Sequence, residues 1–182
     1  MVLPGHLAGG YLAAKALLAA AHASFTPSQT AALLAIGTLA GELPDIDLAF
    51  FYVAHVIRKD GTKDSHRDHI THAPAFWLAV SLVIAAAGYA AGSSFVAFIG
   101  WIVLAGTWSH FILDSIEYGI RWLWPFSDKR FCLREVPEAQ IDGVKGSLTY
   151  YWRYIADRRH LGRVTFYAEI AVTAAAIAVL CA

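Results

Sequence analysis

Five long apolar stretches run along the chain: Leu7–Ala23, Thr30–Val53, Pro74–Ala91, Phe95–Leu113 and Val164–Ala182. Three to five of them approach the ~20 residues a helix needs to cross the hydrocarbon core of a bilayer. They are rich in alanine and glycine, which suits close helix–helix contact. No β alternation is visible, so the pattern predicts an all-α fold, a multi-span transmembrane bundle of four to five helices with a cytoplasmic polar segment. Three regions follow: a membrane-embedded core over residues 1–126, an amphipathic, basic segment over 127–163, and a C-terminal transmembrane helix over 164–182. Ala21-His22-Ala23 has the look of a signal-peptidase site. However, Met1–His6 carries no Lys or Arg and Lys15 falls inside the apolar run, so a retained helix is expected.

Composition strengthens the membrane reading. Hydrophobic residues make up 58% of the chain and charged residues 15%, against about 45–50% and about 25% in ordinary globular domains. Lys plus Arg equals Asp plus Glu at 14 each, so nothing in the net charge points to nucleic acid. The expected partner is the lipid bilayer. Cys132 and Cys181 form no CxxC pair and no disulfide framework, so any metal would be held by nitrogen and oxygen.

The placement of charge predicts a topology. Ser24–Gln29 and Gly92–Ser94 contain no Lys or Arg, whereas Arg58, Lys59, Lys63 and Arg67 lie between the second and third stretches. More cations, from Arg121 to Arg163, follow the fourth stretch. The positive-inside rule makes both basic segments cytoplasmic, with the N-terminus inside and the C-terminus outside. His6, Asp45, Asp47, His66, His69, His72, His110 and Asp114 then reach one depth on the cytoplasmic side.

These residues suit metal chemistry. His110 and Asp114 form H-x3-D, which on a helix puts them on one face a turn apart, as a chelating pair or a simple hydrogen-bonded one. Leu43-Pro44-Asp45-Ile46-Asp47 interrupts an apolar stretch with proline. Two carboxylates at i and i+2 can face one ion in an unwound segment, or be solvated acids at a helix end. His66-Arg67-Asp68-His69-Ile70-Thr71-His72 is the densest cluster, and neutral imidazole suits Zn, Fe, Ni or Mn. Arg67 binds no metal, but its fork can hold a phosphate or carboxylate. Thr71 is a candidate N-cap for the third helix. Lys15 and Glu42, both in apolar surroundings, either pair with each other or face a polar cavity. His6 by itself reads as a helix-start residue. HExxH, GxSxG and a glycine-rich phosphate loop are absent.

Gly5-His6, Leu43–Asp47, His66-Arg67, Thr71-His72, then His110 and Asp114 ahead of Gly119–Phe126, occur in that order. The chain thereby resembles the YdjM-type family of bacterial inner-membrane, metal-dependent hydrolases, over roughly its first two thirds. The resemblance places motif positions on His6, Asp45, Asp47, His66, His72, His110 and Asp114. His69 is an extra histidine that competes with His66 as ligand, and residues after about Asp128 match no motif. It implies divalent metal, with zinc the first expectation and manganese or iron the alternatives. Seven ligands are too many for one tetrahedral ion but suit two. H-x3-D is also similar, more distantly, to helical zinc-dependent phospholipases C and single-strand nucleases, which implies a small-molecule or lipid phosphoester substrate. Asp45 or Asp47 would serve as general base and Arg67 as phosphate clamp. The rival expectation is a metal-ion carrier or metal-stabilised scaffold without hydrolysis.

Overall fold

In the computed structural model, residues 3–22, 24–47, 67, 69–134 and 163–182 are described. Five helices account for most of them: α1 (Leu3–Ala20), α2 (Pro27–Ala40), α3 (Pro74–Ala90), α4 (Ser94–Asp114) and α5 (Val164–Cys181). Short 3-10 turns occupy Leu43–Asp45 and Ile70–His72. The only β feature among the described residues is an antiparallel bridge between Ile120 and Phe131.

Local chemistry sets the helix ends. A reciprocal box opens α2: the Thr26 hydroxyl accepts from the Gln29 amide at 3.2 Å, and Gln29 Oε1 accepts from the Thr26 amide at 3.0 Å. Pro27, at the first helical position, has no amide to leave unsatisfied. The second apolar stretch does not continue as one helix. It stops at Ala40, because Pro44 cannot donate to the ladder and the chain tightens into the first 3-10 turn. Residues 48–53 lie outside the described residues. Thr71 is not the cap of α3: Pro74 is the first helical residue, and Ala73, held extended before it, takes the cap position without a side-chain bond. Gly92, at φ +66°, makes the left-handed turn between α3 and α4.

α4 lies at the centre, with α3, α1 and α2 against it and α5 against α1. Small residues allow the close approach, and a side chain on Gly37 would collide with Ala14 of α1. Hydroxyls inside the bundle bond back to helix carbonyls, as Thr38 does to Leu34 at 2.7 Å and Thr107 to Val103 at 2.9 Å. They need no water. Trp77, Val103, Phe111 and Ile120 form a core at the α4 C-terminal end, while Ala14, Leu33 and Ile102 form a second.

Among the described residues two helices are long and apolar enough to cross a bilayer, α4 with 21 residues and α5 with 18. α3 is apolar but has 17 residues. With 14 residues, α2 is about 21 Å long, short of the ~30 Å hydrocarbon core. α1 is diluted by His6, Lys15 and its glycines. Cys132 and Cys181 are both free.

Candidate metal centre

The breaks in regular structure bring the site together. α1 supplies His6, the first 3-10 turn Asp45, the second His72, and the last two turns of α4 His110 and Asp114. Proline at 44 and at 74 forces both loops to unwind there, so side chains from separate segments turn inward at one end of the bundle. His6, His72, His110 and Asp114 are buried, and Asp45 keeps 17% side-chain exposure.

Four donor atoms form a ring. His72 Nε2 is 3.7 Å from Asp45 Oδ1 and 3.9 Å from Asp114 Oδ2, and His110 Nε2 is 3.8 Å from each of the same oxygens. Edges of this length put the centre roughly 2.3 Å (tetrahedral) to 2.7 Å (planar) from each donor, so a contraction of a few tenths of an ångström gives the ~2.0–2.2 Å bonds of zinc. Asp114 Oδ1 lies 3.3 Å from His6 Nε2, and the His6 and His110 rings stack with centroids 3.8 Å apart. Two donor sets therefore overlap, His6–His110–Asp114 and Asp45–His72–His110, each with its atoms within 4.8 Å of one another.

The ring nitrogens that face away are tied down. His110 Nδ1 bonds the Gly41 carbonyl at 2.9 Å, and His72 Nδ1 bonds Asp47 Oδ2 at 2.9 Å. An imidazole that donates through Nδ1 presents the lone pair of Nε2 inward, the arrangement of metal-binding histidines. His110 Nε2 and both His6 nitrogens are buried without a hydrogen-bond partner, which is costly unless something else satisfies them. This donor set fits a divalent cation. Electrostatics agree. Burial, then the charge of Asp114, raises the Asp45 carboxyl. Burial pulls His72 down, but the neighbouring carboxylates of Asp114 and Asp47 outweigh it and lift the imidazole to about 9. A cation at the centre would supply the positive charge that the crowded carboxylates lack.

Asp47 is placed behind His72 instead of in either donor set, and its Oδ2 also accepts from the Thr71 hydroxyl at 3.0 Å. The His69 side chain is exposed, and its carbonyl accepts from His72 N at 3.1 Å and from Arg121 Nη2 at 3.3 Å. His66 lies outside the described residues. Arg67 borders the centre: its Nε is 3.6 Å from Asp114 Oδ2, and its guanidinium carbon lies 4.1 Å from the centroid of the Tyr118 ring. Lys15 is exposed on α1 and does not pair with Glu42.

Sequence reasoning missed Gly41, Tyr118 and Glu117. A backbone acceptor such as the Gly41 carbonyl carries no residue signature. Gly41 also packs so closely on the His6 carbonyl that no side chain fits. Glu117 is buried, yet it serves another purpose. Its carboxylate accepts from Val164 N at 3.1 Å, Thr165 N at 3.3 Å and Thr165 Oγ1 at 2.6 Å, and so caps α5, whose own cap residue Arg163 makes no side-chain capping bond. Burial raises this carboxyl, but the bonds from Thr165 and Val164 prevail and hold it below its usual range.

The family model described as YdjM inner membrane protein matches residues 1–181. No curated protein and no solved structure matches the chain.

Proposed function

Since the chain belongs to the YdjM inner membrane protein family, we propose that it is a membrane-embedded, metal-dependent hydrolase acting on phosphoesters, lipid or lipid-linked ones included. The observation that carries this reading is the convergence of His6, Asp45, His72, His110 and Asp114 from separate segments, with the outward nitrogens of two imidazoles already bonded. In this reading all five helices sit in the bilayer and the centre faces the cytoplasm, because the basic segments flank it.

His72, His110, Asp45 Oδ1 and Asp114 Oδ2 would hold the ion, zinc first, with manganese or iron as alternatives. One imidazole nitrogen serves one ion, so a second ion would take His6 and Asp114 Oδ1 among the described donors. Bound there, a divalent ion supplies Lewis acidity toward a phosphoryl oxygen and lowers the pKa of water. The chain's own groups do the rest. Asp47 and the Gly41 carbonyl fix the two imidazole rings. Asp47 Oδ2 is committed to His72 and Thr71, which leaves Asp45, the most accessible carboxylate of the set, to take a proton from the attacking water at Oδ2. Arg67 holds the substrate phosphate with its guanidinium fork, braced on the Tyr118 ring.

The test is a screen of phosphate mono- and diesters, lipids included, with metal-reconstituted protein in detergent. Hydrolysis that falls roughly 10²–10⁴-fold in Asp45→Asn, as for loss of a general base, supports the assignment. The deep burial of His6 and His110 favours a second reading, a metal-stabilised membrane scaffold, because structural sites are closed whereas catalytic ones keep an open position. Stoichiometric metal with no ester turned over would select the scaffold.

A further inference from the structure

The chain leaves α4 through a turn at Ser115–Tyr118 and enters a hairpin closed by the Ile120–Phe131 bridge, with amide–carbonyl distances of 3.0 and 2.9 Å. The hairpin is anchored firmly. The Trp122 indole donates to Ser115 Oγ at 2.8 Å, the Leu133 amide to the Ser115 carbonyl at 2.7 Å, and the Arg134 amide to the Ile116 carbonyl at 3.0 Å. Ile120 is buried in the core around Phe111. A segment held this well nevertheless presents large apolar side chains outward: Phe126 is 95% exposed, Leu133 74%, Leu123 66% and Phe131 55%. Several large apolar side chains exposed on one well-held segment mark a contact surface.

Charge and position identify the partner. Between residues 120 and 134 stand four cations, Arg121, Lys129, Arg130 and Arg134, against one carboxylate, Asp128. Arg121 lies 3.7 Å from Asp128, and Arg134 lies 3.8 Å from Glu117. The hairpin remains net positive. Apolar tips beside cations and tryptophan form the pattern of a segment seated where acyl chains meet headgroups. The hairpin also follows the C-terminal end of α4, which carries His110 and Asp114, so the leaflet it touches is the one beside the metal centre.

We propose that the 120–134 hairpin is an interfacial anchor that inserts Leu123, Phe126 and Leu133 beneath the headgroups of the metal-side leaflet and selects anionic phospholipid through its cations. This holds whether or not the centre hydrolyses anything. In a membrane of mixed lipids the anchor enriches negatively charged headgroups at the rim of the metal centre.

The experiment places an environment-sensitive fluorophore on Phe126→Cys, and separately on Leu133→Cys, in full-length protein carrying Cys132→Ser and Cys181→Ser. Each is reconstituted in nanodiscs of phosphatidylcholine, with and without phosphatidylglycerol. The expected result is quenching by lipids bearing a nitroxide just below the headgroup, protection from aqueous iodide, and stronger protection with phosphatidylglycerol. Lys129→Gln and Arg130→Gln should each raise the phosphatidylglycerol fraction needed for half protection by roughly fivefold, the equivalent of about one surface charge. Iodide access in both lipid mixtures would overturn the proposal. So would protection from iodide and nitroxide lipid together, which would mean that protein covers the hairpin, or protection independent of lipid charge.

Discussion

Two kinds of carboxylate site lie at the same end of this bundle, and they are built in opposite ways. Glu117 has its oxygens filled by the Val164 amide and by the Thr165 amide and hydroxyl. Asp45 Oδ1 and Asp114 Oδ2 instead face the Nε2 atoms of His72 and His110 at 3.7–3.9 Å, close enough for these four atoms to share an ion. A carboxylate whose lone pairs are met by the protein is a structural tie. A ring of donors pointing at a common centre, with the buried His110 Nε2 lacking any hydrogen bond, is a group that could hold a metal ion. The difference separates a residue that ties down α5 from residues that could hold a cation, although burial alone does not distinguish them.

Mutations can break this distinction. The largest effect is expected at His110→Ala, which removes the nitrogen common to both donor sets. Metal affinity, measured by competition with a chelating dye, should fall by more than the ~10²-fold upper range for losing a partner behind a ligand, while α5 stays docked. Asp47→Ala comes next. It should weaken metal by about 10–100-fold, because His72 loses the bond that fixes its ring. An Asp47→Ala protein that binds metal as tightly as wild type would show that His72 is oriented by something else.

Glu117→Gln probes the other side of the comparison. Metal affinity should be unchanged, whereas thermal unfolding in detergent should show a loss of about 1.5–3 kcal/mol, the scale of hydrogen bonds to a charged group. This contribution depends on pH. The folded carboxyl is held below its unfolded value of about 4.3, so the stabilisation is fully present above that value and disappears as pH falls through the folded one. The gap in melting temperature between wild type and Glu117→Gln should therefore close below about pH 4. A gap that stays constant from pH 7 to 3 would show that the charge of Glu117 is not what matters. Thr165→Val should be the mildest change, about 1 kcal/mol for one hydroxyl bond, read in the same melting experiment.

Much of the helical frame was legible in the sequence. Pro74–Ala91 and Phe95–Leu113 differ by a residue or so from α3 and α4, and Val164–Ala182 from α5, because unbroken apolar runs between turn residues leave little choice. Thr30–Val53 misled in its middle: α2 stops at Ala40 and the chain tightens into a 3-10 turn over Leu43–Asp45. Alternation of basic and neutral loops put His6, Asp45, Asp47, His66, His69, His72, His110 and Asp114 at one depth; of these the fold groups His6, Asp45, His72, His110 and Asp114, sets Asp47 behind His72 and leaves the His69 side chain exposed, and His66 lies outside the described residues. Depth does not tell direction, however. Asp45 and Asp47 stand two residues apart in one short motif, yet only the conformation of the 3-10 turn and the residue after it decides which faces the centre and which supports His72 from behind. Glu117 and Thr165 are 48 positions apart, and nothing in either neighbourhood marks them as partners.

The central claim is that the converging donors bind a cation, and the most direct measurement is metal content by mass spectrometry on purified protein reconstituted with zinc and then passed over a chelating resin. Wild type and Glu117→Gln should retain stoichiometric metal, and Asp114→Ala and His110→Ala should lose it. A wild-type protein stripped bare by the resin, or variants that keep the same metal as wild type, would contradict the account.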